Sequence, residues 1–258
     1  MQLLISAATW DKELRSTMKQ AELIPLAQEL GCSGVEFRPY WQDIEKEIPE
    51  IKKALSANNL ICTYASNEGL LADSEEETRR VLDSLSANVV LAKSLGTKIL
   101  RLNVASGPFN PAFIQTDWWL AAVKQVLTLA ASMDITLAVE NGPDPKKGDL
   151  QLLQQILTTV NLPALRLTYD TGNWLYASTK PDQAIDSLQQ YIGYVHLKDI
   201  LSEQGTLKHS YLGTGVVDVK SLACRIQESG YAGPFALEFP GGDNPQERVL
   251  QSLKYLGN

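Results

Sequence analysis

The sequence predicts one α/β domain over residues 1–258, built as a (β/α)8 barrel, and three observations carry that expectation. Short β-rich runs alternate with longer amphipathic runs from end to end. Eight signals of each kind in a 258-residue chain match eight parallel strands, each followed by a helix. The competing open, doubly wound sheet lacks its signature, because neither GxGxxG nor GxxxxGK[ST] follows the first apolar run.

The strands are expected at QLLIS (2–6), GVEFR (34–38), ICTYAS (61–66) and KILRLNV (98–104) in the first half. ITLAVE (135–140), LRLTYD (165–170), GYVHLKD (193–199) and FALEF (235–239) supply the second. Each is short, rich in β-branched and aromatic residues, and bounded by turn formers. Between them, ELRSTMKQAELIPLAQELG (13–31), SEEETRRVLDSLSANVVLAKSLG (74–96) and DWWLAAVKQVLTLAASM (117–133) place apolar residues at helical spacing. Ser74 with Glu77 reads as a capping box, and Gly31 and Gly96 stand where helices end. No linker, low-complexity tract or charge block divides the chain.

Composition narrows the function classes. With 44% hydrophobic and 21% charged residues the chain can bury one sizeable core. A net charge of −7 offers no basic face to a phosphate backbone, so nucleic acid is not an expected partner. No apolar run approaches the roughly 20 residues that span a bilayer, so no membrane partner is expected. Cys32, Cys62 and Cys224 are odd in number and lack CxxC spacing, and MQLLISAATWDKE lacks the basic start and long apolar run of a signal peptide. The expectation is a cytoplasmic protein. A homo-oligomer stays open, since DWWL fits an interface and a buried helix face equally well.

In such a barrel the chemistry sits at the C-terminal ends of the strands, where residues two apart share a face. The second strand offers Glu36 and Arg38, the third leads to Ser66 and Glu68, and the fourth offers Arg101 and Asn103. The fifth ends at Glu140, the sixth at Asp170, the seventh offers His196 and Lys198, and the eighth Glu238. A single acid in such a place is most often a turn residue or helix cap, and a single histidine a hydrogen-bonded core residue. Glu140, Asp170, His196 and Glu238, however, end four consecutive strands and would meet in one ring. Three carboxylates there repel one another without a cation. With the imidazole they form a mixed oxygen and nitrogen site suited to one divalent ion, Mn²⁺, Mg²⁺, Co²⁺ or Zn²⁺.

GVEFR, SNEG, AVENGP, YDTGNW, YVHLKD, LGTGVVD and ALEFP occur in an order that resembles the xylose-isomerase-like TIM-barrel superfamily, the sugar phosphate isomerase and epimerase group. The resemblance runs over nearly the whole chain. It implies that Glu140, Asp170, His196 and Glu238 hold the metal, and that Glu140 and Glu238 are the catalytic acid and base. The implied activity is isomerisation or epimerisation of a sugar or sugar phosphate, by proton abstraction next to a carbonyl through a metal-bound enediolate. A metal-dependent lyase of the 3-dehydroshikimate or inosose dehydratase type shares that chemistry, and a barrel that binds sugar or metal without turnover is a third reading. The trinuclear zinc site of the group's endonucleases is not expected. The chain has only His196 and His209, and Asn173, Ser66 and Asn103 stand where that site needs histidines. Asn173 also departs from the histidine of the ketose epimerases.

A small sugar-like substrate is the expected partner. Arg38, Arg101, Lys198 and His209 are candidates to meet a phosphate or carboxylate, with pairing to nearby acids as the alternative. Glu68, Asn103, Asn173 and Trp174 are further candidate substrate contacts. Trp10, Trp41 and Trp174 fit a sugar wall or core packing equally. YLGTGVVD reads as a glycine-rich loop over the mouth.

Overall fold

The computed structural model describes residues 1–257. Its strands are β1 (Leu3–Ser6), β2 (Gly34–Phe37), β3 (Ile61–Gly69), β4 (Ile99–Asn103), β5 (Thr136–Glu140), β6 (Leu165–Asp170), β7 (Ile192–Leu197), β8 (Asp199–Glu203), β9 (Thr206–Ser210) and β10 (Phe235–Leu237). Eight of them close a barrel in the order β1-β10-β7-β6-β5-β4-β3-β2, with parallel pairing such as Leu4 opposite Ala236 and Asn103 opposite Glu140. The expected (β/α)8 barrel is therefore the observed fold.

The helices are α1 (Asp11–Leu14), α2 (Leu23–Glu29), α3 (Ile44–Asn58), α4 (Glu75–Leu95), α5 (Asp117–Ser132), α6 (Leu150–Val160), α7 (Pro181–Leu188), α8 (Val219–Glu228) and α9 (Pro245–Leu256). None is long and apolar enough to cross a membrane. By internal contacts the chain divides into two compact units. One holds Met1–Thr63, Asp170–Gly172 and the chain from Val195 onward; the other holds Tyr64–Tyr169 and Asn173–Tyr194. The first contains β1, β2, β10, part of β7 and the β8–β9 pair; the second contains β4, β5 and most of β3 and β6.

Local chemistry explains most boundaries. The Ser74 hydroxyl accepts the Glu77 N–H at 3.2 Å and opens α4, which Gly96 ends at φ 84°. Asp43, Thr116, Asp149, Asp218 and Asn244 cap five other helices through side-chain oxygens. In DWWL, Trp119 is buried and donates its indole N–H to the Leu70 carbonyl at 2.9 Å, while Trp118 packs edge-on against Phe113 under Arg79.

Two expectations change. The helix expected over 13–31 is two short ones, α1 and α2, with a 3-10 turn at Gln20–Glu22 between them. Pro25 is the cause, since inside one long helix its ring would meet the carbonyl of residue 21, whereas in the first turn of α2 it is tolerated. The second change is the antiparallel β8–β9 hairpin, which follows β7 directly and turns at Gln204 and Gly205, both left-handed at φ 49° and 82°.

Candidate metal centre

Strand alternation sets the site's composition. Glu36 and Arg38, Arg101 and Asn103, and His196 and Lys198 each sit two apart, and so share a face of their strands. In the first unit Glu36 is fully buried and accepts the Ser6 hydroxyl at 2.6 Å, while its other oxygen lies 2.6 Å from His196 Nε2. The Arg38 guanidinium reaches Glu36 at 3.3 Å and Glu238 at 2.9 Å, and its backbone N–H donates to the Gln20 side chain. The Lys198 ammonium sits between Asp170, at 3.1 Å, and Glu238.

Asp170 is wholly buried and ends β6. One of its oxygens accepts the Gly172 N–H at 2.9 Å. The Thr171 hydroxyl donates to the Lys198 carbonyl and accepts the Lys198 N–H, tying the end of β6 to the residue that follows β7. Gly172 has no left-handed φ; a Cβ there would press on the Lys198 and Ile200 side chains, 2.8 Å away. Glycine is needed there for close approach, not for turning.

Burial would raise the Glu238 carboxyl, but Lys198, Arg38 and His196 around it outweigh that and hold it well below the usual carboxylate range. Glu36 is likewise held low, by His196 and Arg38 against burial. Burial lowers the Lys198 ammonium, yet Asp170 and Glu238 more than offset this and raise it. His209 is pushed down to about 4 by burial and by Lys198, with Glu238 opposing.

In the second unit Arg101, 7% exposed, donates to Glu140 and to the Ser66 carbonyl. Ser84 donates to Glu68, Asn103 to the Asn67 carbonyl, and Asn173 to the Asn141 carbonyl at 2.8 Å. Trp174 is fully buried and packs on Tyr169, with ring centroids 5.5 Å apart. Glu68, Asn103 and Asn173 thus make loop-ordering contacts, and Trp174 is a core residue.

Glu140, Asp170, His196 and Glu238 each present one ligand atom, and these atoms lie within 4.8 Å of one another. The hard oxygen and nitrogen donors fit a divalent cation, and the burial of the first three suits a site shielded from water. Sequence reasoning placed Glu36 at a strand end without a role; its contact with His196 leaves the other ring nitrogen, Nδ1, facing Asp170 at 4.0 Å. It missed Asp199. This buried carboxylate accepts the backbone N–H groups of Ile200, Gly213, Thr214, Gly215 and Val217, so LGTGV is a tethered loop. The visible signal was an acid followed 14 and 16 residues later by two glycines.

The closed parallel barrel defines the class of fold, and three carboxylates with an imidazole form a group in it that could hold a metal ion. Within that class the chain belongs to the xylose isomerase-like TIM barrel family, whose model matches residues 24–258. It is 26% identical over 203 residues to L-ribulose-5-phosphate 3-epimerase UlaE of Salmonella paratyphi C, a match that covers 76% of this chain and 70% of that protein. It is 22% identical over 259 residues to an inosose dehydratase of Clostridium botulinum, covering 88% and 86%. The crystal structure of the IOLI protein with a bound zinc atom shares the fold at a TM-score of 0.81 and 13% identity, covering 100% of this chain and 98% of that one.

Proposed function

We propose that the protein is a divalent-metal-dependent sugar epimerase or isomerase that moves a proton on the carbon next to a ketose carbonyl. The observation that carries this is the convergence of Glu140, Asp170, His196 and Glu238 within 4.8 Å. These four residues would hold the ion. When bound, it supplies a Lewis acid that polarises the carbonyl and makes the neighbouring C–H acidic.

The chain's own residues do the rest. Glu238, kept ionised by Lys198 and Arg38, takes the proton from carbon. Glu140, oriented by Arg101, is the second acid/base group. A proton returned to the same carbon on its other face gives the epimer, and one returned to the neighbouring carbon gives the isomer. Asp170 and His196 would position the ion, with Glu36 beside His196 and Lys198 beside Asp170 fixing their side chains. His209, which lines the cavity beside Glu238, is the proposed contact for a substrate hydroxyl. The free thiols of Cys32, Cys62 and Cys224 support a cytoplasmic setting.

Metal analysis combined with solvent-deuterium exchange tests the proposal. The native chain should bind one divalent ion and exchange deuterium into a ketose, whereas Glu140→Gln and Glu238→Gln should each lose exchange by about 100-fold or more. Failure to bind any divalent ion would sink the metal reading. Loss of water from a cyclic polyol ketone, without exchange into any ketose, would replace the epimerase with a dehydratase.

A further inference from the structure

Next to Glu238 lies a cavity of about 400 Å³, lined by Ala8, Thr9, Asp11, Lys12, Glu13, Tyr40, His209, Phe239 and the 240–243 turn. A molecule whose reacting end is held at Glu238 has this cavity for its other end. The charges around it are lopsided. Asp11, Glu13 and Asp243 line it with Glu238, and Lys12 is the basic side chain among the lining residues.

Lys12 is engaged by Asp243 at 2.8 Å. Asp11 accepts the Tyr40 hydroxyl at 2.6 Å and the Arg15 guanidinium at 2.7 Å, which fixes a carboxylate on the wall. Arg38, partly buried, and Lys198, buried, are paired with Glu36, Asp170 and Glu238 itself. Arg248 holds the Pro240 carbonyl at 2.8 Å and lies over the Tyr211 ring. Among the described residues, then, the cavity presents acids and hydroxyl or carbonyl groups, with its cations already committed.

Resting on the proposed reaction, we propose that the substrate is an unphosphorylated ketose whose hydroxylated end occupies this acidic cavity, and that the site rejects the corresponding terminal phosphate ester. Hydroxyls donate to Asp11, Glu13 and Asp243 at little cost, whereas a phosphate dianion would meet the Glu13 carboxylate and two carboxylates already in ion pairs, Asp11 with Arg15 and Asp243 with Lys12, and would have to break one of those pairs to gain a cation. Like-charge contact of this kind is a strong device for rejecting wrong partners. The 400 Å³ suits a monosaccharide with bound water.

Calorimetric binding to the metal-loaded protein separates this inference from the catalytic one, because it needs no turnover. The probes are matched pairs: D-fructose with D-fructose 6-phosphate, and L-ribulose with L-ribulose 5-phosphate. The free sugar should bind about 10-fold or more tightly than its phosphate, a gap in line with like-charge rejection. Glu13→Lys, at a half-buried position on the cavity wall, should narrow the gap by about 10-fold by admitting the phosphate. Equal or tighter binding of the phosphates, or a gap that Glu13→Lys leaves untouched, would overturn the inference. Discrimination without deuterium exchange would keep it and sink the catalytic proposal; exchange into the phosphate esters alone would do the reverse.

Discussion

Replacing Asp199 by alanine is expected to unfasten the 211–217 loop and cost about 4 kcal/mol of stability, worked from its five N–H partners. Two of these, Ile200 and Val217, share Oδ1 at 2.7 and 3.0 Å in fully buried bonds. Without the carboxylate they lose their partner outright, at about 1–3 kcal/mol each. Gly213, Thr214 and Gly215 share Oδ2 at 2.7–3.1 Å in part-buried bonds, so water can replace it and the loss is smaller. Gly215 shows how close the packing is, because a Cβ there would collide with the Ile200 carbonyl and the Asp199 carboxylate. Asp199→Asn keeps one acceptor but turns an NH₂ group toward N–H donors, and should cost roughly half as much. Out of a typical total of about 5–15 kcal/mol, the alanine variant is severe but measurable. Urea unfolding gives the stability change, and hydrogen exchange of residues 213–217 locates it. The reasoning fails if Asp199→Ala costs under about 1 kcal/mol, or if those amides keep their protection. The consequence reaches the site, because Tyr211 packs on Phe239, the neighbour of Glu238.

Glu36→Gln removes the charge beside His196 Nε2, and is expected to weaken divalent-ion binding by about 10–100-fold with the fold intact. Titration calorimetry with Mn²⁺ or Zn²⁺ checks this, and an unchanged affinity would remove Glu36 from the site. Gly172→Ala drives a methyl into Lys198 and Ile200; it should cost about 1–3 kcal/mol in thermal unfolding and lower activity by displacing the Lys198 ammonium from Asp170. An alanine variant as stable and active as the native chain would show that these side chains yield freely.

The parts of the fold and site that were legible in the sequence follow from periodicity. A strand repeats every two residues, so Glu140 and Asp170 could be placed at the ends of their strands without tertiary information. Glu238 lies just beyond β10, yet its N–H still bonds to the Leu197 carbonyl at 3.1 Å, which keeps it level with the end of β7. Alternation also set Glu36, Arg38, His196 and Lys198 in facing pairs. What stayed hidden was pairing at long range. Arg38 and Glu238 are 200 residues apart, so no local signal could show that this guanidinium is committed to a carboxylate. The hairpin hid for another reason: LSEQGTLKHS carries its turn in Gln204-Gly205, a weaker signal than Asn-Gly or Asp-Gly. The Asp199 tether hid because its partners lie up to 18 residues downstream in a loop without periodicity.

The committed cations link the site to the substrate it would accept. In the first unit Glu36, Asp170 and Glu238 face Arg38 and Lys198, so one carboxylate is in excess, and in the second Glu140 is matched by Arg101; each of the four has a basic or imidazole partner. A divalent ion would turn that deficit into a single surplus positive charge. This matches the one negative charge that develops as a proton leaves the carbon of a neutral ketose. A phosphate drawing Arg38 or Lys198 toward itself would strip the partly buried Glu238 of the charges that stabilise it, and a carboxylate so placed without compensation is costly. The side chains that keep Glu238 ionised would not be available as a phosphate clamp, so the proposed activity on an uncharged sugar and the proposed rejection of its phosphate ester would share one electrostatic origin.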